Sequence, residues 1–167
     1  MGLQHPARGD LIIMEENGTD MPQLYFAYAS NMEPRRFQRL CHSGTVVGPA
    51  RLPGRRLAFS RYSRQRRGGS ADIVPDAEAE VWGVLYEVGD ADVDTLDRSE
   101  DVPAAYRRET VVVEDAEGRE RQAVTYVANR TGDFLPHPDY LQLIVQGAEA
   151  RGLPQEWIRH LKSIKTL

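Results

Sequence analysis

The sequence of 167 residues predicts a single α+β domain in which largely antiparallel strands are flanked by helices. Runs rich in Val, Ile, Tyr and Trp recur between residues 23 and 128, and tight turn sequences join several of them. Tight turns favour antiparallel pairing because parallel strands need a long crossover. Apolar residues also recur at helical spacing after these strands, over residues 141–161.

Composition narrows the class of protein. The chain is 41% hydrophobic and 28% charged, as globular domains are, and it is long enough to bury a substantial core. The single cysteine, Cys41, excludes an internal disulfide framework and fits a reducing compartment. A net charge of −4 argues against general nucleic-acid binding.

We interpret residues 1–22 as a flexible N-terminal extension, because they are polar and rich in Gly, Asp and Glu, and residues 23–167 as the domain proper. The one apolar run of the extension, residues 11–14, is shorter than the core of a secretory signal. No segment reaches the roughly 18 consecutive apolar residues that a membrane span needs. We therefore expect a cytoplasmic protein that does not bind membranes.

The first strand, residues 23–29, turns directly into a short helix. Ser30 and Glu33 match a capping box, whereas Pro34 favours the first helical turn, so the cap is Ser30, Asn31 or Glu33. In each case the N–H groups of Ser30, Asn31 and Met32 lie at a helix N-terminus, which favours an anion. The alternative is an ordinary corner that binds nothing.

The middle of the chain predicts more strands. Residues 45–60 resemble a β-hairpin whose turn is Pro53-Gly54. A basic loop over residues 61–69 follows, and then a short strand that stops at Pro75. Residues 79–88 have the strongest strand pattern, because their apolar run is too continuous for a solvated face.

The second half predicts a helix over residues 90–100, then two strands and two closing helices. The strands cover residues 106–114 and 121–128, joined by a turn of typical composition. Of the two closing helices, the first ends at Gly152 and the second begins at Pro154. We expect both to pack on the sheet.

Glu100 is the candidate acid or base. On the 90–100 helix, Val93 and Leu96 are three residues apart, and Glu100 takes the next position on the same face. Burial and the negative end of the helix dipole would both raise the pKa of an inward carboxyl, which suits general acid/base chemistry. Alternatively, the helix ends earlier and Glu100 faces solvent or pairs with Arg107 or Arg108. The other charged residues of the helix are expected in solvent: Asp92, Asp94, Asp97 and Arg98.

Several common catalytic motifs are absent from the sequence. It contains no nucleophile elbow, no phosphate-binding P-loop and no zinc-binding His-Glu-x-x-His, and its four histidines do not have metal-ligand spacing. We expect no metal. Within the basic loop, residues 61–67 have two interpretations, a solvated rim or a gate that steers an anionic substrate into a neighbouring pocket.

Seven ordered blocks of sequence resemble the γ-glutamylcyclotransferase family, in its AIG2-like and butirosin-type form. The similarity covers roughly residues 23–162. The blocks are Tyr-Phe-Ala-Tyr-Ala-Ser-Asn-Met (25–32), Gly-Gly with Ala-Asp-Ile-Val-Pro (68–75), Val-Trp-Gly-Val-Leu-Tyr (81–86), Leu-Asp-x-x-Glu (96–100), Tyr106, Thr-Tyr (125–126) and Gly-Ala-x-x-x-Gly-Leu-Pro (147–154).

The resemblance implies a curled, barrel-like sheet with flanking helices, and an acyltransferase that releases 5-oxoproline and a free amine from γ-glutamyl compounds. It implies that the loop Tyr28, Ala29, Ser30, Asn31 and Met32 holds the glutamyl α-carboxylate. It also implies that Glu100 is the acid/base and that Tyr106 and Tyr126 line the pocket. The nucleophile is the substrate's own α-amine, so no cofactor is needed.

Two residues depart from the family pattern. Ala29 replaces the usual glycine of the loop; if this position needs φ > 0, the methyl group adds strain of about 1–2 kcal/mol. If the backbone must approach the ligand closely, the same methyl group narrows the pocket. Asp101 replaces the usual glycine after Glu100, where it either raises the Glu100 pKa further or faces solvent.

Three functions follow from these observations. The first is intramolecular cleavage of a γ-glutamyl amide, with a small γ-glutamyl compound as substrate and the leaving amine unidentified. The second is a binding protein that keeps a pocket for a small carboxylate and has lost turnover through Ala29. The third is a partner-binding protein that uses residues 61–67 as its contact surface. The resemblance is also compatible with a homodimer.

Overall fold

The computed structural model describes residues 22–167, so all but the last residue of the expected extension lies outside the described part. Residues 22–167 form five strands, four α-helices and one 3-10 turn. In chain order these are β1 (Gln23–Ala27), the 3-10 turn (Ser30–Met32), α1 (Pro34–Leu40), β2 (Thr45–Ser63), β3 (Gly68–Val88), α2 (Asp90–Ser99), β4 (Tyr106–Asp115), β5 (Glu120–Ala128), α3 (Pro138–Ala150) and α4 (Gln155–Lys162).

The strands close into a barrel in the order β1-β3-β2-β4-β5. All neighbouring pairs are antiparallel except β1 and β5, which run parallel and complete the closure. The predicted α+β class with a curled, barrel-like sheet is confirmed. Among the described residues, no helix is long and apolar enough to cross a membrane.

The hairpin predicted at Pro53-Gly54 is wrong. The chain does not reverse there, because β2 continues to Ser63 and pairs with β3 along its whole length. Pro53 is still paired with β3, and the register shifts between Pro53 and Arg55, where Gly54 has φ 80°. The chain reverses instead between β2 and β3, at residues 64–67.

The strand end predicted at Pro75 is also wrong, because β3 continues past this residue. Pro75 lies opposite Arg55, next to the register shift. A proline lacks the N–H that a regular ladder needs, but an irregular site tolerates it. The barrel is therefore built on one long, bent β2–β3 hairpin.

The helix caps were partly predictable. Glu33 caps α1, because its carboxylate accepts hydrogen bonds from the N–H groups of Arg35 and Arg36, at 3.2 Å and 2.8 Å, with Pro34 in the first turn. Ser30, the alternative cap, forms no cap hydrogen bond with its side chain and accepts one from Arg66 instead.

Helix α3 presses on the 3-10 turn. A Cβ atom at Gly147 would lie 2.6 Å from the backbone N of Glu33 and 2.7 Å from the carbonyl carbon of Met32. Only glycine permits this approach, since real Cβ atoms essentially never come within 3.0 Å of such neighbours. Helix α3 therefore supports the loop that follows β1.

Candidate active site

A cavity of about 550 Å³ opens between the loop after β1, the tip of the β2–β3 hairpin, the end of α2 and the inner faces of β4 and β5. Seven of the eight site residues expected from the sequence line it: Tyr28, Ala29, Ser30, Asn31, Glu100, Tyr106 and Tyr126. The eighth, Met32, is fully buried beside Gly147 and does not line the cavity.

Glu100 is half-buried in the cavity wall, directly after the last residue of α2. Its backbone N–H still donates to the Leu96 carbonyl at 2.9 Å, so the helical path carries the side chain inward. The alternative pairing with Arg107 or Arg108 is wrong, because these arginines pair with Glu109 and Asp97 instead.

Burial is the largest influence on Glu100 and raises the pKa of its carboxyl above the ordinary value. The positive charges of Arg66 and Arg36 and the hydrogen bond from Asn31 act in the opposite direction, and the raising effect is the larger. A carboxyl with a raised pKa both accepts and returns a proton near neutral pH more readily than an ordinary one.

The side-chain amide of Asn31 connects the loop to Glu100. Its Nδ2 donates to the Tyr25 hydroxyl at 2.9 Å and to Glu100 Oε1 at 3.4 Å, and its Oδ1 accepts from Arg36 Nε at 2.9 Å. The side chain is 4% exposed. Hydrogen bonds at both the nitrogen and the oxygen fix the orientation of the Asn31 amide, which in turn helps to position the Glu100 carboxylate.

The loop offers fewer backbone donors than the sequence predicted. The Met32 N–H donates to the Ala29 carbonyl at 3.1 Å within the 3-10 turn. The N–H groups of Ser30 and Asn31 donate no hydrogen bond to any residue within 22–167. Both residues line the cavity, so these two groups are its candidate anion donors.

The structure decides the strain expected at Ala29 and the position of the Asp101 side chain. Ala29 has φ −129°, so its methyl group incurs no strain of the left-handed kind. Asp101 does have a positive φ, 51°, a conformation that Asp adopts more readily than most residues. Its side chain is exposed and does not contribute to the raised pKa of Glu100.

Tyrosines form much of the cavity wall, and their hydroxyl groups are engaged. Tyr28 donates to the carbonyl of Tyr126 at 2.6 Å, and Tyr126 donates to Asp97 Oδ1 at 2.6 Å. Tyr106 donates to the Ala71 carbonyl at 2.7 Å. Burial raises the pKa of all three phenols, so they remain neutral and Glu100 is the better acid/base candidate.

Several cavity residues were not among the expected site residues, and four of them carry polar groups that contact the site: Tyr25, Arg36, Arg66 and Tyr140. Tyr25 and Arg36 flank the loop in sequence, and that position was the only available signal. The expectation that Asp92 and Asp97 face solvent is wrong. Asp92 is buried and accepts from the Ser43 hydroxyl at 2.8 Å, and half-buried Asp97 holds Tyr126.

The described residues contain no group of three His, Cys, Asp or Glu side chains that is placed to hold a metal ion. Polar contacts in the cavity come from guanidinium, carboxylate, amide and phenol groups. This set suits a small ligand that carries both negative and positive charges.

Comparison with known proteins identifies the family of the chain. Residues 80–161 match the model of the AIG2-like family. The γ-glutamylcyclotransferases of Mus musculus and Homo sapiens are each 33% identical to the chain over 147 residues, which covers 85% of the chain and 78% of each relative.

Solved structures give the same result. A structure named γ-glutamyl cyclotransferase superimposes with a TM-score of 0.85 at 31% identity, covering 88% of this chain and 90% of that one. An uncharacterized protein from Homo sapiens superimposes with a TM-score of 0.83 at 32% identity, covering 87% and 89%. On this identity and coverage, and on the shared fold, the chain belongs to the γ-glutamylcyclotransferase family.

Proposed function

We propose that the protein is a γ-glutamylcyclotransferase that converts a γ-glutamyl compound into 5-oxoproline and a free amine, with Glu100 as general acid/base. One observation carries the assignment of Glu100. Its half-buried carboxyl, whose pKa is raised, lines the same cavity as Ser30 and Asn31, whose backbone N–H groups donate to no residue within 22–167. Membership of the family supports the reaction itself.

In this mechanism the N–H groups of Ser30 and Asn31 hold the glutamyl α-carboxylate, and Arg36 adds positive charge on the same side. Fixing the carboxylate directs the neighbouring α-amine toward the γ-carbonyl of the same molecule. The reaction becomes a ring closure between groups already joined, which accounts for much of the rate without a protein nucleophile.

Proton transfer through Glu100 completes the reaction. The carboxylate takes a proton from the α-ammonium group, and the freed amine attacks the γ-carbonyl carbon to form the five-membered ring. As the bond between that carbon and the leaving nitrogen breaks, Glu100 returns the proton to the leaving amine. The ring nitrogen loses its second proton as it becomes the lactam amide, and the released amine takes up this proton to leave as an ammonium ion. The pKa of Glu100, raised by burial, suits both transfers.

The test is release of 5-oxoproline from a panel of γ-glutamyl dipeptides and γ-glutamyl amines. We expect Glu100→Gln to lower kcat by about 10²-fold or more, since it removes a general acid/base. The amide keeps the size of the side chain, so circular dichroism and thermal melting should report an intact fold.

Asp101→Asn is the matched control, because it neutralises the exposed neighbouring carboxylate at the same cavity. We expect its kcat to stay within a few-fold of the wild-type value. Full activity in the Glu100→Gln variant would reject the role of Glu100. No 5-oxoproline from any substrate of the panel would reject the proposed reaction.

A further inference from the structure

Arg66, at the tip of the β2–β3 hairpin, extends into the cavity. Arg66 is half-buried, whereas its neighbours Arg64, Gln65 and Arg67 are exposed. Its Nη2 donates to the Ser30 hydroxyl at 3.2 Å, and its guanidinium carbon lies 4.2 Å from the centre of the Tyr140 ring. Stacking on the ring and the hydrogen bond together hold the guanidinium group in the cavity.

This guanidinium forms no ion pair at contact distance within the described residues, although its charge acts on Glu100 and opposes the raised pKa of that carboxyl. Three arginines line the cavity, Arg36, Arg61 and Arg66, and none forms an ion pair with residues 22–167. Each instead donates to a neutral oxygen. By contrast, Arg67 on the same hairpin tip pairs with Asp139.

The charges of the cavity match a substrate with two carboxylates. Three arginines line the cavity against two acidic residues, Glu100 and the exposed Asp101, so positive charge exceeds negative charge by at least one. A γ-glutamyl compound with a neutral leaving group carries an α-carboxylate and an α-ammonium group and has no net charge. A second carboxylate on the leaving group gives it one net negative charge, which complements the cavity.

We propose that Arg66 is a specificity-determining residue that binds a carboxylate on the leaving amine. The proposal rests on the proposed cyclotransferase function. The α-carboxylate already has the loop N–H groups and Arg36, whose Nε is bound to Asn31. Arg66 enters from the hairpin, where Tyr62, Ser63 and Gln65 also line the cavity. It touches the loop through one nitrogen only, Nη2 to the Ser30 hydroxyl, and its other guanidinium nitrogens donate to no residue within 22–167.

The test compares two substrates of nearly equal shape, γ-glutamylglycine and γ-glutamylglycinamide, which differ in one negative charge. We expect the wild-type protein to favour γ-glutamylglycine by about tenfold or more in kcat/KM, as a charge-assisted hydrogen bond would. Arg66→Gln should reduce this preference to about twofold or less, mainly through a higher KM for γ-glutamylglycine. Arg66→Lys should keep part of the preference, because it retains the charge without the planar fork.

Arg64→Gln is the matched control, since Arg64 is exposed on the same tip and does not line the cavity. It should leave the preference unchanged. An equal loss for both substrates in Arg66→Gln would overturn the proposal, because Arg66 would then bind the γ-glutamyl part that they share. A preference that persists in Arg66→Gln would overturn it as well.

Binding measurements separate this proposal from the proposed reaction. In a Glu100→Gln background, calorimetry gives Kd values for both compounds with and without Arg66→Gln. The same charge preference in Kd, lost with Arg66, would support the proposal whether or not turnover occurs. Absence of 5-oxoproline with the wild-type protein would reject the reaction alone.

Discussion

Glu100 shows how one residue combines opposing influences. Burial disfavours its ionised form, whereas the guanidinium groups of Arg66 and Arg36 and the amide of Asn31 favour it. Burial acting alone would keep this carboxyl protonated. Here the opposing charges moderate the effect, so the carboxyl can exchange a proton in either direction.

The first residue-scale prediction concerns stability against pH. A carboxyl whose pKa is higher in the folded state destabilises the fold as pH rises through the window above its unfolded pKa. Glu100→Gln should therefore raise Tm relative to wild type at pH 7–8, and the gain should vanish as pH approaches about 4. Thermal melts across this range test it.

Asp101→Asn controls for loss of a negative charge at the same place, because its side chain is exposed. A Tm gain of equal size in both variants would indicate general charge relief. A lower Tm in Glu100→Gln at neutral pH would show that the ionised carboxylate stabilises the fold, contrary to this prediction.

At the scale of elements, α2 brings several carboxylates to the barrel. Asp92 accepts hydrogen bonds from the Gly89 N–H and the Ser43 hydroxyl at the start of the helix. Asp97 and Glu100, three residues apart, share a face at its end. Asp97 accepts from Tyr126 and pairs with Arg108, so the helix end, β5 and β4 are joined beside the cavity.

The element-scale prediction is that Asp97 acts on the site through the Tyr126 hydroxyl. Asp97→Asn and Tyr126→Phe should each cost about 1–2 kcal/mol of unfolding free energy, since a hydrogen bond to a carboxylate is lost. The double variant should cost less than the sum of the two single variants. Urea denaturation of the four proteins measures the coupling.

Measuring kcat/KM for the same four proteins tests whether Asp97 positions Tyr126 in the site. If Asp97 acts by orienting Tyr126, adding Asp97→Asn to the Tyr126→Phe variant should change kcat/KM little. Additive effects in both measurements would contradict the prediction. Arg107→Gln, at an exposed position one residue from Arg108, serves as a control for general charge effects.

At the scale of the whole molecule, the C-terminal helices support a loop that lies more than a hundred residues earlier. Gly147 of α3 packs on Met32 and Glu33. Arg151, directly after α3, donates through Nε to the Met32 carbonyl at 3.3 Å and to the Tyr86 hydroxyl at 3.2 Å. The same hydroxyl donates to the Asn31 carbonyl at 3.0 Å, so the loop is held from both the barrel and α3.

The prediction at this scale is that Gly147→Ala destabilises the protein although alanine is the better helix former. The methyl group would need backbone movement at Met32 or Glu33, and such overpacking typically costs about 1–3 kcal/mol. Helix propensity returns about 1 kcal/mol, which leaves a net loss of up to about 2 kcal/mol. Chemical denaturation measures it, and kcat/KM should fall because the loop moves.

Gln146→Ala, at an exposed position of the same helix, is the control and should be nearly neutral. A stabilised Gly147→Ala variant would show that propensity outweighs packing here. Unchanged kcat/KM in a destabilised variant would show that the loop does not depend on α3 for its position.

Much of this molecule was predictable because it follows from local pattern. The four helices, the strands β1, β4 and β5, and the inward position of Glu100, one of the two alternatives, reflect spacing along the chain. Glu33 as helix cap was among the alternatives because a proline directly follows it. The ordered blocks of family residues, spread over most of the chain, identified the fold and the site together.

The sequence alone predicted the family, the helices, most strand positions and the residues that line the cavity around the loop and Glu100, because each depends on local spacing or on motif identity. Only the tertiary structure decided that β2 continues through Pro53-Gly54, since a bend and a reversal use the same residue types. It also decided that Arg66 enters the cavity while Arg64 and Arg67 remain outside. Arg66 is held in the cavity by stacking on Tyr140 and by a hydrogen bond to Ser30, and both residues are far from it in sequence.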